Sequence, residues 1–141
     1  MKLPPPTAAI LQPKLIPVVL QLKDAYGIWQ VYLNDFPKVN RFTLGSKIDA
    51  IFLDTIEFCF IASYANIQNK IPLIDKSISR VDLLKLLIQL SWEMRAIDPN
   101  KYVNLSEKLS SIGSMLGGWK RHLENKTPRE IVSPSHGEKR D

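Results

Sequence analysis

The sequence predicts an all-α fold, an up-down-up-down antiparallel four-helix bundle. Three observations carry that expectation. Apolar residues recur at steps of three and four in four separate stretches, prolines fall between or at the edges of those stretches, and no stretch alternates with the period of two that a half-buried strand needs. The chain has 141 residues, 45% of them apolar, which is one domain with material for a real core.

The first helix is expected from Pro17, whose missing N–H is harmless in a first turn. Leu15, Val19, Leu22, Tyr26, Trp29, Leu33 and Phe36 step 4,3,4,3,4,3, and Pro37 ends the run because the residue before a proline avoids helical geometry. The second helix follows Gly45 with Ser46 as N-cap, or starts earlier near Asn40; Ile48, Ile51, Phe52, Ile56, Cys59, Ala62 and Ser63 make its inner face. Asn66 to Pro72 reads as a polar loop. Asp75 or Ser77 then opens the third helix, with one stripe of Leu83, Leu87, Leu90, Met94 and Ile97 and a second of Val81, Leu84 and Ile88. That apolar surface is wider than one neighbour requires. Asp98-Pro99 stops this helix and caps the next, where Leu105, Leu109, Ile112, Leu116, Trp119 and Leu123 step 4,3,4,3,4. Each helix of about 20 residues is about 30 Å long, and the short connections make consecutive helices antiparallel. The expected organisation is a flexible arm at 1–13, the bundle at 14–124 and a disordered polar tail at 125–141.

Charge and composition narrow the function classes. There are 19 Lys plus Arg against 14 Asp plus Glu, a net charge of +5 and a pI near 9.4. Cys59, the single cysteine, cannot form an internal disulfide; it sits on an inner face and reads as inert packing, in keeping with a reducing compartment. No run reaches the roughly 18 apolar residues of a membrane span. The prolines of the first 17 residues do not make a signal peptide, so a cytoplasmic location is expected. No Glu-x-x-His pair, phosphate-cradling glycine loop or histidine-based catalytic set is present. The expectation is a protein that is not an enzyme, with no metal, no cofactor, no membrane and no small-molecule substrate.

Antiparallel topology gathers six cations at one end of the bundle. Lys14, Lys70, Lys76, Arg80, Lys120 and Arg121 face two carboxylates there, Asp75 and Glu124, whereas Lys38, Arg41, Lys47, Arg95 and Lys101 at the other end nearly balance Asp35, Asp49, Glu93 and Asp98. A local excess of positive charge is the footprint of a phosphate-bearing partner; a merely solvated, solubilising end is the plainer alternative. Lys70, Lys76, Arg80, Lys120 and Arg121 are therefore the candidate nucleic-acid-binding residues. Arg80 and Arg95 project on the apolar side of the third helix. Asp49 and Arg95 are expected to form a partly buried ion pair, and Gly117-Gly118 to mark a tight helix crossing level with Arg80. Trp29 and Trp119 fall on core stripes; Trp92 belongs either to the core or to an interface.

Three segments taken together carry a resemblance. They are Pro37-Lys38-Val39-Asn40-Arg41-Phe42-Thr43-Leu44-Gly45; Glu93-Met94-Arg95-Ala96-Ile97-Asp98 with Lys101-Tyr102; and Leu105-Ser106-Glu107 leading to Ile112-Gly113-Ser114-Met115-Leu116-Gly117-Gly118-Trp119. Over about Lys14 to Leu123 the chain resembles the Avd family, the accessory variability determinants of diversity-generating retroelements. The resemblance implies a four-helix bundle assembled as a ring-like homopentamer with a basic surface, and binding to the element's reverse transcriptase and to nucleic acid, template RNA first and DNA second. It implies a role in making complementary DNA mutated at adenines, without being the polymerase. The runner-up is the related bundle family encoded in ribosomal RNA intervening sequences. A protein-only oligomeric scaffold comes next, and a small helical toxin–antitoxin component is more remote.

Overall fold

The computed structural model describes residues 15–126, and among these every regular element is helical. Helix α1 is Pro17–Leu33, with proline in its first turn. A single α-turn at Lys38–Asn40 and a π-helical segment at Arg41–Gly45 run directly into the body of helix α2, Ser46–Tyr64. Helix α3 is Ile67–Glu93 and helix α4 is Pro99–Lys126. The expected arm (1–13) and all of the expected tail but residues 125 and 126, which continue α4, lie outside the described residues.

Cross-helix pairs fix the topology. Trp29 stacks on Phe52 and its Nε1 donates to Asp49, while Tyr26 meets Phe52 edge-on, so α1 and α2 run antiparallel. Cys59 reaches Ser77, and Lys70 reaches Ala62, across α2 and α3. Asp75 meets Lys120, and Trp92 meets Tyr102, across α3 and α4. Asp35–Lys101 and Asp24–Lys108 close the square between α1 and α4. The core runs along the centre of this square through Leu22, Trp29, Phe52, Cys59, Ile74, Leu84, Ile88, Leu105, Ile112 and Leu116. A four-helix antiparallel bundle is thus what the patterning predicts.

Four expectations are corrected. First, α1 ends at Leu33 rather than at Pro37, and Phe36 reaches the core from the connection, edge-on to Trp29. Second, Ser46 is not an N-cap: helical geometry has already begun at Lys38, just after Pro37, and the Ser46 hydroxyl donates to the Arg41 carbonyl instead. Third, Asn66 to Pro72 is not a loop. Asn66 caps α3 by accepting from the Asn69 amide at 3.1 Å, and Pro72 lies exposed in the second turn. A proline inside a helix costs about 3 kcal/mol; here Ile67 and Ile71 pack against the core and Ile74 is fully buried, so the turns on both sides of Pro72 are held down. Fourth, the core face of α3 is Ile74, Val81, Leu84 and Ile88, the second of the two stripes. Leu83 and Leu87 lie at its edge, and Leu86, Leu90 and Met94 face outward.

Candidate nucleic-acid interface

Of the cations expected at one end, Lys14 lies outside the described residues and Arg80 stands at the middle of α3; the other four, Lys70, Lys76, Lys120 and Arg121, are not equally free. Lys70 Nζ donates to the carbonyls of Ala62 (2.8 Å) and Ser63 (3.2 Å). Both carbonyls belong to the last turn of α2, where acceptors lack a full set of helical partners and a cation also suits the helix dipole. Lys70 is therefore a helix cap. Lys120 lies 2.8 Å from Asp75 and 4.0 Å from Glu124, and the Asp75 hydrogen bond, ahead of the charge attraction, holds its ammonium above the ordinary lysine range. Lys76 is exposed, its ammonium 5.7 Å from the centre of the Phe58 ring, in cation–π range. Arg80 is half-buried and Arg121 exposed, and neither has an ion pair among the described residues.

Gly117-Gly118 does not mark a crossing of helices within the bundle. A Cβ placed on Gly117 would meet only the Arg121 guanidinium, at 3.4 Å, and one on Gly118 the same group at 3.9 Å. Both glycines are half-buried on the outer side of α4. Gly113 and Gly117, with Ser110 and Ser114, floor a groove of about 380 Å³ whose α3 wall is Ile78, Asp82 and Lys85 and whose end is Arg121. The glycine pair thus lets a guanidinium lie flat against the helix beside a strip of small residues.

The expected Asp49–Arg95 pair is absent. Asp49 Oδ1 accepts from Trp29 Nε1 (3.1 Å) and from Gln30 Nε2 (2.7 Å), so its role is to satisfy a buried indole. Arg95 is not helical. Helix α3 closes with a Schellman motif in which the Ala96 amide bonds the Ser91 carbonyl (2.7 Å) and the Arg95 amide bonds Trp92 (3.0 Å). Arg95 fills the left-handed position of that motif with φ 63°. Its side chain is exposed, and the helical projection that placed it beside Asp49 does not apply past the end of the helix.

The other end of the bundle holds what residue spacing did not reveal. Arg41 donates from Nη2 to the carbonyls of Asn34 (3.1 Å) and Phe36 (3.0 Å), tying the end of α1 to the π-helical segment. Gly45 is buried where a Cβ would come within 2.8 Å of Leu33 Cδ1, so α1 approaches α2 through that glycine. Between these two fixed residues Phe42 is 74% exposed, and Val39, two residues before Arg41, is 79% exposed. The same segment that anchors α1 therefore presents an aromatic ring outward. Asp98 caps α4 as expected, accepting from the Lys101 amide at 2.9 Å.

Fold and surface together define a class: a four-helix-bundle protein with exposed cations on α3 and α4 and apolar side chains left uncovered on its outer faces. The comparison with known families is specific. The bAvd-like family model matches residues 20–123, and the chain belongs to that family. The family is one of accessory proteins. No curated protein and no solved structure matches the chain. Among the described residues there is no helix long and apolar enough to cross a membrane and no cluster of metal-ligating side chains.

Proposed function

We propose that this chain is the accessory protein of a diversity-generating retroelement, acting as a ring-like homo-oligomer that binds the element's reverse transcriptase and its template RNA during mutagenic complementary-DNA synthesis in the cytoplasm. The observation that carries the reading is the family match over residues 20–123. The cation cluster supports the RNA-binding part. Lys76, Arg80 and Arg121 are the groups assigned to phosphates, because Lys70 is committed to the end of α2 and Lys120 divides its charge between Asp75 and Glu124. Leu86, Leu90 and Met94 on α3, with Phe42 and Val39, supply exposed apolar area for subunit or polymerase contacts. In a ring of subunits, a modest local charge is multiplied by avidity.

The test combines mass and binding. Light scattering reports the oligomer, with a mass near five chains expected. Gel shifts with template-repeat RNA compare wild type, Arg80→Ala/Arg121→Ala and Lys70→Ala. The double arginine variant is expected to bind at least tenfold more weakly and to flatten the salt dependence by about 0.7 in log–log slope per lost single-strand contact. Lys70→Ala is expected to lose thermal stability while keeping its affinity. Undiminished RNA binding by an intact oligomer of the double variant overturns the phosphate assignment. A monomer that neither binds RNA nor retains co-expressed reverse transcriptase overturns the function.

A further inference from the structure

The corner between α3 and α4, at the opposite end from the cation cluster, forms an open concavity of about 670 Å³. It is lined by Asp35, Trp92, Arg95, Asp98 and Lys101 among others. That volume falls in the range of about 300–1,000 Å³ typical of small-ligand sites. One wall is the indole of Trp92, on which Tyr102 stacks: the two rings lie 4.9 Å apart with an interplanar angle of 5°. Trp92 comes from the last turn of α3 and Tyr102 from the first turn of α4, so both rings stand on rigid helix. Tyr102 covers one face of the indole, yet Trp92 remains 39% exposed and lines the concavity.

The charges around this wall are unequal in freedom. Asp35 is held by Lys101 at 2.8 Å, Asp98 by the Lys101 amide at 2.9 Å, and Glu93 by the Gln89 side chain at 3.2 Å. Each carboxylate thus already has a donor. Arg95, also on the lining, has no ion-pair partner among the described residues. A flat, half-open π-surface beside an unpaired guanidinium is the combination that holds one unpaired nucleotide, base stacked and phosphate paired.

We propose that this concavity seats an unpaired nucleotide of single-stranded RNA, with the base continuing the Tyr102–Trp92 stack and the phosphate against Arg95. The assignment rests on the RNA-binding reading above and adds to it a preference for unpaired strands. Twelve residues of α3 separate Arg80, at the middle of that helix, from Trp92, an axial distance of about 18 Å at 1.5 Å per residue, so one short strand has the length to reach both Arg80 and the stack.

The experiment uses the full-length chain and fluorescence anisotropy of a labelled 12-nucleotide single-stranded RNA, of the same RNA annealed into a duplex, and competition by unlabelled mononucleotides. Trp92→Ala is expected to weaken single-strand binding about 5- to 100-fold, the range of one lost base stack, and to leave duplex binding unchanged. Trp92→Phe, which keeps an aromatic face, is expected to recover most of the loss, and Arg95→Ala to weaken the single strand as well. Mononucleotides are expected not to compete at concentrations where the oligonucleotide saturates. Photocrosslinking of wild type to 4-thiouridine RNA is expected to map to Trp92 or Tyr102, and it decides the matter if the alanine variant misfolds; crosslinks confined to other residues overturn the site. If wild type binds neither RNA form, the function reading fails and the site with it. If wild type binds both forms and Trp92→Ala binds the single strand normally, or loses single strand and duplex equally, only the nucleotide site falls. Equal competition by mononucleotides overturns the strand in favour of a free-nucleotide pocket.

Discussion

Arg95 offers the sharpest test of how the α3–α4 corner is built. A side chain in the left-handed region brings its Cβ close to the following carbonyl, which costs roughly 1–2 kcal/mol for an L-residue. Glycine is the usual occupant of this position in a Schellman motif because it avoids that contact. At φ 63°, Arg95 carries the cost in full. Arg95→Gly removes it, and the extra freedom of glycine in the unfolded chain returns about 0.5–1 kcal/mol. The net expectation is a gain of about 0.5–1 kcal/mol. Arg95→Ala is the control. It deletes the same guanidinium but keeps the Cβ, so it gains nothing from the backbone. The difference between the two variants therefore isolates the left-handed conformation from any interaction of the side chain.

Thermal melts followed by circular dichroism, at one fixed protein concentration because assembly shifts apparent stability, measure this directly. For a domain of this size the glycine variant is expected to melt about 2–4 °C above the alanine variant. A glycine variant no more stable than the alanine one refutes the backbone argument. The two variants are expected to lose the same single-strand RNA affinity, since both lack the guanidinium. A strained residue whose removal stabilises the fold and weakens binding has been kept for its side chain, whereas a strained residue whose removal changes only stability has not.

Two further predictions concern glycine and pH. Gly45→Ala is expected to be less stable than Gly27→Ala by about 1 kcal/mol in urea unfolding, because a Cβ at Gly45 comes within 2.8 Å of the Leu33 Cδ1 methyl, which must shift, whereas one at Gly27 meets nothing within 4 Å; equal stabilities refute the close approach of α1 to this glycine. Hydrogen bonds from Lys101 to Asp35 and from Lys120 to Asp75 raise both ammonium groups above the lysine value of 10.5. A raised folded-state value means that the contribution of each pair is complete below pH 10.5 and is lost as pH climbs through the folded value. Melting temperatures of wild type and Lys101→Gln/Lys120→Gln are therefore expected to differ by a small constant amount from pH 7 to 9.5 and to converge above pH 10.5, and a gap that stays constant into the alkaline range contradicts the pairing. Both pairs are solvent-exposed, so the constant gap is small.

The helix count, their order and most of the inner faces were legible because they depend on local periodicity, and every core stripe except that of α3 points where the stepping places it. The α3 stripe misled because leucines occupy two adjacent faces, and periodicity alone does not say which face meets the neighbours. Prolines misled in the opposite sense. A proline is a strong boundary signal when the flanking residues are polar, yet Asn66 supplies a cap six residues earlier, Ile67 and Ile71 pack against the core and Ile74 is buried, so tertiary packing overrides the local penalty. The charges were legible neither in level nor in freedom: with α3 starting at Ile67 rather than at Asp75 or Ser77, Arg80 falls at mid-helix. Whether Lys70 reaches back to the carbonyls of α2, or Lys120 across to Asp75, depends on side-chain reach between helices, which sequence spacing does not encode.

The misplaced arginine shows how a local error conceals a site. Helical projection carries Arg95 onto the apolar side of α3 only if the helix continues through it. The helix stops at Glu93, and the two residues gained by stopping early turn Arg95 outward beside Trp92. An ion pair with Asp49 would have explained the arginine as structural and left the corner without a free charge. Asp49 instead serves the Trp29 indole, which is one reason the α1–α2 core closes around a tryptophan without an unsatisfied N–H. With that carboxylate committed to the core and those of Asp35 and Asp98 committed to Lys101, the positive charge of Arg95 has no internal use. On the proposed nucleotide site, a strained, unpaired arginine beside an open indole is put to use at the corner where two consecutive helices meet.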